Sequence, residues 1–359
     1  MYNIYFVLHS LNRGGCENVI SMIANGLNKN KFNVIIITIK PVLMFNLDNR
    51  IRFIPIKHLK ISDIFMFIRS KNKIIFSSIF KINLIVGILA RLNKVINNKS
   101  TLFILRETSI PSIYLKKKSI LYSFFLKLIY PSFDLIIAQG ESMKKDLVKN
   151  FGIVPRKIKI INNPVEDFVN KGNSILKSEK YRLITVGNLT SIKGYDRLLK
   201  VIKLLKEKIQ FEYYILGTGD QEELIKATIK DYEVQDICIL TGGVTNVQDY
   251  LINADLFLQG SYYEGFPNVL IEANQVGLPV VAFDVPGGTK EIITNEKNGF
   301  LIEDGNIDSF VEHIIIALNT SYDKNDIIKQ TQLKFSKAKI IVEYENLFIK
   351  MIQNNKNEE

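Results

Sequence analysis

The sequence predicts an α/β protein with two doubly wound domains, each built around a parallel β-sheet. The chain has 359 residues, which is more than one hydrophobic core usually serves. Short apolar runs of strand length recur along it, with helical or glycine-rich segments between them, a pattern typical of buried parallel strands. The pattern stops after Pro164 and starts again at Arg182, which predicts a linker between two β-α series.

The first series begins with a β-loop-α-β unit, made of a strand at residues 4–9, a helix at 16–28 and a strand at 33–39. Gly14 and Gly15 lie in the loop before the helix. Free backbone N–H groups and the helix dipole bind phosphate at such a position, although a tight strand-to-helix turn requires glycines there too. Further strands are predicted at residues 74–79, 102–105, 135–138 and 158–161.

The second series and the chain end complete the predicted architecture. Its strands are predicted at residues 182–186, 213–216, 237–240, 256–258 and 280–283. The last helix, at 336–352, has apolar residues spaced three and four apart, as in a helix with one buried face. We therefore predict domains at residues 1–165 and 166–335, with the linker at 165–180.

The composition excludes several classes of protein. Cys16 and Cys238 are the only cysteines and the three histidines are scattered, so the sequence shows neither a disulfide framework nor a zinc site, and a reducing cytoplasm is favoured. No segment without Lys, Arg, Asp or Glu exceeds 12 residues, whereas a membrane-spanning helix needs ~20 apolar ones. Arg13 follows the first apolar segment instead of preceding it, so no signal peptide is expected.

The net charge of +11 is unevenly distributed. Residues 51–130 contain 15 Lys and Arg but only 2 Asp and Glu, interleaved with Ile, Leu, Phe and Tyr. Such a segment suits an anionic membrane surface, although a solvated basic helix, or phosphate contacts to a nucleic acid, would have a similar composition. We favour the membrane, and predict a cytoplasmic protein that lies peripherally at the inner face of the membrane and binds no nucleic acid.

The strongest local motif is S-Y-Y-E-G-F-P-N-V-L-I-E-A, in which Glu264 precedes Glu272 by eight residues. A strand ends before the motif, and ligands bind where strands end in such sheets. The loop from Gly265 to Val269 offers N–H groups to a phosphate, and the two carboxylates can accept hydrogen bonds from sugar and ribose hydroxyls. The alternative is structural, with Glu264 capping the loop and Glu272 on a helix surface.

This E-x7-E segment resembles the signature of retaining glycosyltransferase family 4, also called group 1. Other landmarks of that family follow in the same order: G-G-C-E near the N-terminus, I-I-N-N-P-V before the linker, then V-G-N-L-T-S-I-K-G-Y-D-R-L, L-G-T-G-D, V-P-G-G-T-K-E-I and N-G-F-L. The resemblance covers most of the chain. It implies the GT-B fold, with two Rossmann-like domains facing a cleft and the C-terminal helix, residues 336–359, crossing back to the first domain.

The resemblance also implies roles for individual residues. Domain 1–165 would bind the acceptor and domain 166–335 the nucleotide-sugar donor. Glu264 would hold the donor sugar hydroxyls, Glu272 the ribose, and Lys193 the diphosphate. Other implied donor contacts are the base-binding turn at Gly217 and Thr218, the phosphate and nucleoside loop at Gly265, Phe266, Pro267, Asn268 and Val269, and the glycine-rich positions Gly15, Gly187 and Asn188.

Two positions depart from the family pattern. Asn188 stands where an Arg is common, so one cation for the leaving diphosphate is missing, and we predict that Arg106 replaces it. Where many relatives have a His, the chain has Arg106 and Glu107. Glu107 would either orient an acceptor hydroxyl or, more commonly for such a pair, form an ion pair with Arg106.

The resemblance implies a retaining hexosyltransferase that moves a hexose from a nucleotide-diphosphate sugar to a hydroxyl of a polysaccharide or lipid-linked oligosaccharide, as in bacterial-type surface polysaccharide synthesis. No cofactor or metal is expected, because the sequence has no D-x-D motif and Lys and helix dipoles can replace a metal. One alternative is a GT-B sugar-nucleotide epimerase or hydrolase. The other is a non-catalytic GT-B protein that binds carbohydrate or nucleotide, which is suggested by Asn188 in place of the usual Arg.

Overall fold

The computed structural model describes residues 1–12, 14–58, 73–96, 100–115, 120–166 and 180–357. The chain forms two compact units. The N-terminal unit comprises Met1–Glu166 together with Phe335–Glu359, and the C-terminal unit comprises Asp167–Lys334. The predicted linker at 165–180 lies almost wholly outside the described residues.

The N-terminal unit is built on a sheet of seven parallel strands. They are β1 (Tyr2–Leu8), β2 (Phe32–Thr38), β3 (Arg52–Pro55), β4 (Lys73–Ser78), β5 (Thr101–Arg106), β6 (Leu135–Ala138) and β7 (Ile158–Ile160). Their order in the sheet is β3-β2-β1-β4-β5-β6-β7, so the direction of winding reverses beside β1. All six residues of β4 and of β5 are buried, because helices cover both faces of a parallel sheet.

Helices on the two faces of this sheet enclose two apolar clusters. The helices are α1 (Gly15–Gly26), α2 (Phe80–Val95), α3 (Pro111–Leu115), α4 (Ile120–Ile129) and α5 (Glu141–Phe151). The helix α5 ends at Gly152, whose φ of 66° is the left-handed conformation that glycine adopts without strain at a helix C-terminus. Short 3-10 turns occupy Ile56–His58, Tyr130–Ser132 and Pro155–Lys157.

The C-terminal unit has a six-stranded parallel sheet of the same kind. Its strands are β8 (Tyr181–Val186), β9 (Phe211–Leu216), β10 (Cys238–Gly242), β11 (Leu256–Gln259), β12 (Val280–Asp284) and β13 (Gly299–Glu303), in the order β10-β9-β8-β11-β12-β13. Its helices are α6 (Tyr195–Leu205), α7 (Glu222–Asp231), α8 (Val247–Ile252), α9 (Asn268–Gln275), α10 (Thr289–Ile292), α11 (Ile307–Asn319) and α12 (Lys324–Phe335). The order reverses between β8 and β11, where such sheets bind ligands.

The last helix, α13 (Lys337–Asn357), belongs to the N-terminal unit. Tyr344 and Phe348 are fully buried, and the ring of Phe348 lies 6.0 Å from that of Phe76 on β4, centroid to centroid. Gly26 of α1 leaves room for the contact, because a Cβ there would lie 1.8 Å from Ile341. The predicted return of the C-terminal helix is therefore confirmed.

The predicted class of two doubly wound parallel sheets is confirmed, and two edge strands were missed. Neither β3 nor β13 was predicted. Most predicted boundaries lie within two residues of those observed, while α13 extends to Asn357 instead of 352. Among the described residues, no helix combines the length and apolar character needed to cross a bilayer, and no three His, Cys, Asp or Glu side chains are grouped as a metal site requires.

Candidate active site

The pair formed by Lys193 and Glu264 lies at the carboxyl edge of the C-terminal sheet. Lys193 ends the 3-10 turn Ser191–Lys193 that follows β8, and Glu264 lies in the loop that follows β11. These two strands are neighbours, so their carboxyl ends bring the loops together. The Nζ of Lys193 is 2.7 Å from Oε1 of Glu264. Two of the predicted catalytic residues are thus in direct contact.

The carboxylate of Glu264 is held through one of its two oxygens. Besides Lys193, the hydroxyl of Ser261 donates to Oε1 at 2.6 Å, and the amide of Gln259 donates to it at 3.4 Å. The residue is only 8% exposed. Within the described ranges Oε2 has no hydrogen-bond partner, so a fixed carboxylate retains one oxygen that can accept bonds from a ligand hydroxyl.

Backbone hydrogen bonds join the loops around this pair. The N–H of Leu189 donates to the carbonyl of Thr218 at 2.9 Å, and the N–H of Glu264 donates to that of Pro286 at 3.0 Å. The glycine at 217 is required here, because it has a φ of 147° and a Cβ would lie 1.9 Å from the carbonyl oxygen of Gly187. The predicted residues Gly187, Gly217 and Thr218 therefore lie in paired loops at one edge of the sheet.

A second close approach fixes the loop that carries Glu264. Gly287 has a φ of 137°, and a Cβ on it would lie 2.1 Å from the carbonyl oxygen of Glu264. The neighbouring Gly288 donates its N–H to the carbonyl of Gly265 at 3.1 Å and lies under the ring of Phe266, which is buried. Of the predicted loop contacts, Phe266 and Pro267 thus have buried side chains.

The helix α9 begins at Asn268, so the first-turn N–H groups of Asn268 and Val269 are at its N-terminus. Glu272 is on the same helix, partly buried, and burial raises the pKa of its carboxyl. No hydrogen bond to this side chain exists among the described residues. Glu272 is thus not a fully solvated helix-surface residue, and its contact with a ribose stays a prediction.

Arg197 is a buried residue of this site that the sequence did not reveal. It lies on α6, is 5% exposed, and donates through Nε to the carbonyl of Gly260 and through Nη2 to that of Ser261. Its Nη1 is 2.6 Å from Oδ1 of Asp304. The guanidinium therefore holds the stretch of chain that places Glu264. One sequence feature could have indicated this buried arginine, because a charged residue interrupts the apolar face of the helix in Y-D-R-L-L.

Arg106, the third predicted catalytic residue, is in the N-terminal unit at the end of β5. It is 1% exposed. Its Nη2 donates to Oδ1 of Asn163 at 2.5 Å, and its Nη1 donates to the hydroxyl of Ser78 at 3.4 Å and to Sγ of Cys16 at 3.8 Å. These bonds tie the start of α1 to the ends of β4 and β5. A direct role of this buried charge at the diphosphate stays a prediction.

Glu107 does not form the ion pair with Arg106 that the sequence suggested. Adjacent residues at a strand end point to opposite faces. The carboxylate of Glu107 instead accepts a 2.7 Å hydrogen bond from the hydroxyl of Tyr130 and a 2.8 Å bond from the N–H of Thr108. Burial is the main cause that raises the pKa of Glu107. It is therefore a structural residue, with a partner 23 positions along the chain.

The predicted phosphate contact at Gly15 opens α1, a helix of 12 residues. Gly14 before it is extended and, as a glycine, has no side chain that could cap the helix. The first-turn N–H groups thus keep the arrangement that favours an anion. In the C-terminal unit, Asn188 is exposed in the loop after β8 and supplies an amide but no charge.

Comparison with known proteins identifies the family. The family described as "Glycosyl transferases group 1" matches residues 167–334, and the family described as "Glycosyltransferase Family 4" matches residues 13–167. The chain belongs to the group 1 glycosyltransferases. The two matches together cover both units, and the suspected resemblance is confirmed.

Among curated relatives, the chain is similar to an N-acetylgalactosamine-N,N'-diacetylbacillosaminyl-diphospho-undecaprenol 4-alpha-N-acetylgalactosaminyltransferase of Campylobacter jejuni. The two are 30% identical over 62% of this chain and 62% of that protein. It is also similar to the amylovoran biosynthesis glycosyltransferase AmsD of Erwinia amylovora, at 24% identity over 84% of this chain and 86% of that protein. The aligned part is thus less than two thirds of the length of the Campylobacter relative.

Solved structures establish the fold of this group 1 glycosyltransferase. The lipopolysaccharide outer core galactosyltransferase WaaB superposes with a TM-score of 0.74 at 19% identity, over 97% of this chain and 99% of that one. Sucrose-phosphate synthase of Thermosynechococcus elongatus superposes with a TM-score of 0.80 at 15% identity, over 99% and 100%. The predicted GT-B fold is confirmed.

Proposed function

We propose that this chain is a retaining hexosyltransferase, which moves a hexose from a nucleotide-diphosphate sugar to a hydroxyl of a polysaccharide or lipid-linked oligosaccharide. The observation that carries the proposal is the Lys193–Glu264 pair at the carboxyl edge of the C-terminal sheet. It combines a cation for the leaving group with a carboxylate oxygen free to bind the sugar. Membership of the group 1 family supports the same reaction class.

Donor binding is assigned to the C-terminal unit. Oε2 of Glu264 accepts bonds from the sugar hydroxyls, and the carboxylate of Glu272 accepts them from the ribose. The N-terminal end of α9, at Asn268, offers N–H groups to the diphosphate. The structure of the Anabaena protein HepE in complex with UDP and glucose has a similar fold, so we propose a uridine nucleotide as the first donor to test.

The reaction needs stabilisation of negative charge on the leaving diphosphate. As the bond from the anomeric carbon to the β-phosphate oxygen breaks, charge accumulates on that phosphate, and Lys193 together with the N–H groups of α9 offsets it. The acceptor oxygen bonds to the anomeric carbon on the same face, and its proton passes to the departing phosphate oxygen. The exposed amide of Asn188 donates a hydrogen bond but no charge, so Lys193 has a larger share than in relatives with an Arg there.

We further propose that transfer needs no divalent metal. Lys193 and the α9 N–H groups supply the positive potential that a metal would otherwise provide. Activity should be unchanged by EDTA and by added Mg²⁺ or Mn²⁺. Loss of activity in EDTA that Mn²⁺ restores would contradict this part of the proposal.

The acceptor is proposed to be carried by a membrane lipid, with the enzyme at the inner face of the membrane. The Campylobacter relative is named for an undecaprenol-diphosphate-linked substrate, and residues 51–130 have 15 basic against 2 acidic residues. A basic segment of this composition is attracted to anionic headgroups.

The decisive experiment is product analysis with UDP-hexoses, with and without a lipid-linked saccharide acceptor. A product with the anomeric configuration of the donor, formed only with acceptor, supports a retaining transferase. A new sugar nucleotide or free sugar formed without acceptor would instead indicate an epimerase or hydrolase. Glu264→Gln should abolish transfer, while Glu223→Gln, which alters an exposed carboxylate on α7, should transfer normally.

A further inference from the structure

The N-terminal unit exposes a group of large apolar side chains on two neighbouring helices. Of the 23 such side chains exposed in the described residues, ten lie on α2, directly after it, or on α4. They are Ile85, Ile88, Leu89, Leu92, Val95, Ile96, Tyr122, Phe124, Phe125 and Leu128. Single exposed apolar residues are normal, but a contiguous group marks an interaction surface. We call this group the α2–α4 face.

The helix α2 is apolar on both of its sides. Ile85, Ile88 and Leu92 follow one another at spacings of three and four and are 52%, 51% and 55% exposed. The opposite side, with Val86 and Ala90, is buried in the core. A solvated surface helix would carry polar residues on its outer side, so the outer side of α2 is built for a second apolar environment.

The face continues onto α4 because the two helices pack closely. Gly87 of α2 lies against α4, where a Cβ would be 2.1 Å from Cγ2 of Ile129. Arg91 reaches across the contact, and its Nη1 donates to the carbonyl of Leu128 at 3.1 Å. The exposed side chains of both helices therefore belong to one surface of the unit.

The charges around the face identify the environment it suits. Neither α2 nor α4 contains Asp or Glu, and their cations Lys81, Arg91, Lys94 and Lys127 are exposed. Lys94 is 3.9 Å from Asp134, which among the described residues is the one acidic side chain in contact with these four cations. A second copy of the chain would bring the same positive charge and be repelled. A nucleic acid would bind the cations but leave the apolar side chains in water.

We propose that the α2–α4 face inserts its apolar side chains into the interfacial layer of an anionic bilayer while the flanking cations bind the lipid headgroups. This combination is the one by which amphipathic helices bind membranes in the plane of the interface. The inference rests on the part of the proposed function that puts the enzyme at a membrane. It does not depend on the transfer reaction.

A fluorescence experiment tests insertion directly, because the chain contains no tryptophan. Phe125→Trp introduces a single indole on the face, and Leu224→Trp introduces one at a 60% exposed position on α7 of the C-terminal unit. With vesicles of phosphatidylcholine and phosphatidylglycerol, the first should shift to the blue and be quenched by brominated acyl chains, and the second should not. Absence of quenching for Phe125→Trp, or equal quenching of both, would overturn the proposal.

Vesicle flotation of the full chain provides the second test. Ile88→Ser with Leu92→Ser should lower binding to anionic vesicles more than tenfold, and Lys127→Gln should lower it about fivefold. The matched control, Leu224→Ser with Leu333→Ser, removes equally exposed apolar side chains elsewhere and should float normally.

Two flotation outcomes contradict the proposal: equal binding of the face variant and its control, and equal binding of the wild type to anionic vesicles and to phosphatidylcholine alone. A third contradicting outcome is a lower solution mass of the face variant than of the wild type by light scattering. The last would show that the face joins copies of the chain. Failure of the proposed function would be seen separately, since an inactive chain still floats if the face binds lipid.

Discussion

Replacement of Arg197 by lysine tests whether the guanidinium of Arg197 holds the loop that carries Glu264 in place. The guanidinium donates to two carbonyl oxygens, of Gly260 and Ser261, and pairs with Asp304. A lysine keeps the charge but its single ammonium cannot reach all three groups in the same geometry. Hydrogen bonds from a charged donor contribute about 1.5–3 kcal/mol each, so we expect Arg197→Lys to lower the free energy of unfolding by about 2 kcal/mol.

The same change should lower kcat more than it alters KM for the donor. Displacement of a catalytic group by about 1 Å costs up to ~10²-fold in rate, and the loop places Glu264. The assays are urea unfolding of the apo protein and steady-state kinetics. Asp304→Asn is the matched control, because it removes the ion pair but leaves both carbonyl bonds. The Asp304 side chain is 48% exposed, so Asp304→Asn should lower the free energy of unfolding by less than about 1 kcal/mol and leave kcat unchanged.

A loss of stability in Arg197→Lys with an unchanged kcat would refute the reasoning. It would mean that Arg197 supports the fold of the C-terminal unit without setting the geometry of the site.

Three further changes probe the site. Lys193→Gln removes the cation assigned to the diphosphate and should lower kcat by about 10²-fold or more, and a normal kcat would contradict that assignment. Glu272→Gln should weaken nucleotide binding yet stabilise the apo protein. A partly buried carboxyl with a raised pKa costs nothing below the usual carboxyl range and destabilises the fold as pH rises through its folded pKa, so the stability gain by urea unfolding should be larger at pH 8 than at pH 4. A pH-independent difference would contradict this. Gly287→Ala drives a Cβ into the carbonyl of Glu264 and should abolish transfer and lower the free energy of unfolding by about 1–3 kcal/mol. Gly305→Ala, also at positive φ but in open space, should remain active, and equal activities of the two variants would argue against the close approach.

The interior strands could be predicted because burial on both faces gives continuous apolar runs. The strands β4 (K-I-I-F-S-S) and β5 (T-L-F-I-L-R) are fully buried, and their apolar runs were recognised in the sequence. The edge strands β3 and β13 were not recognised. R-F-I-P has only one buried residue, and G-F-L-I-E begins with a glycine at a φ of 146°, so neither shows the apolar run by which strands are recognised.

The site could be predicted only as far as local motifs extend. The motif around Glu264 and Glu272 placed both residues, because their spacing is a property of one short segment. The contacts of Arg197 with Ser261 and of Glu107 with Tyr130 join residues 64 and 23 positions apart, and no local pattern encodes them. The periodicity of α2 likewise does not predict that its outer side is exposed, since both sides of this helix have the composition of a buried helix.

The most direct test of the donor site is thermal unfolding of the wild type, Glu272→Ala and Glu223→Gln with UDP and with GDP. A nucleotide at 100 times its dissociation constant adds about 2.7 kcal/mol to the stability of the folded protein. We predict that one nucleotide raises the Tm of the wild type and of Glu223→Gln but not that of Glu272→Ala. A well-folded wild type whose Tm neither nucleotide changes, or a Glu272→Ala variant that responds like the wild type, would contradict the donor site described here.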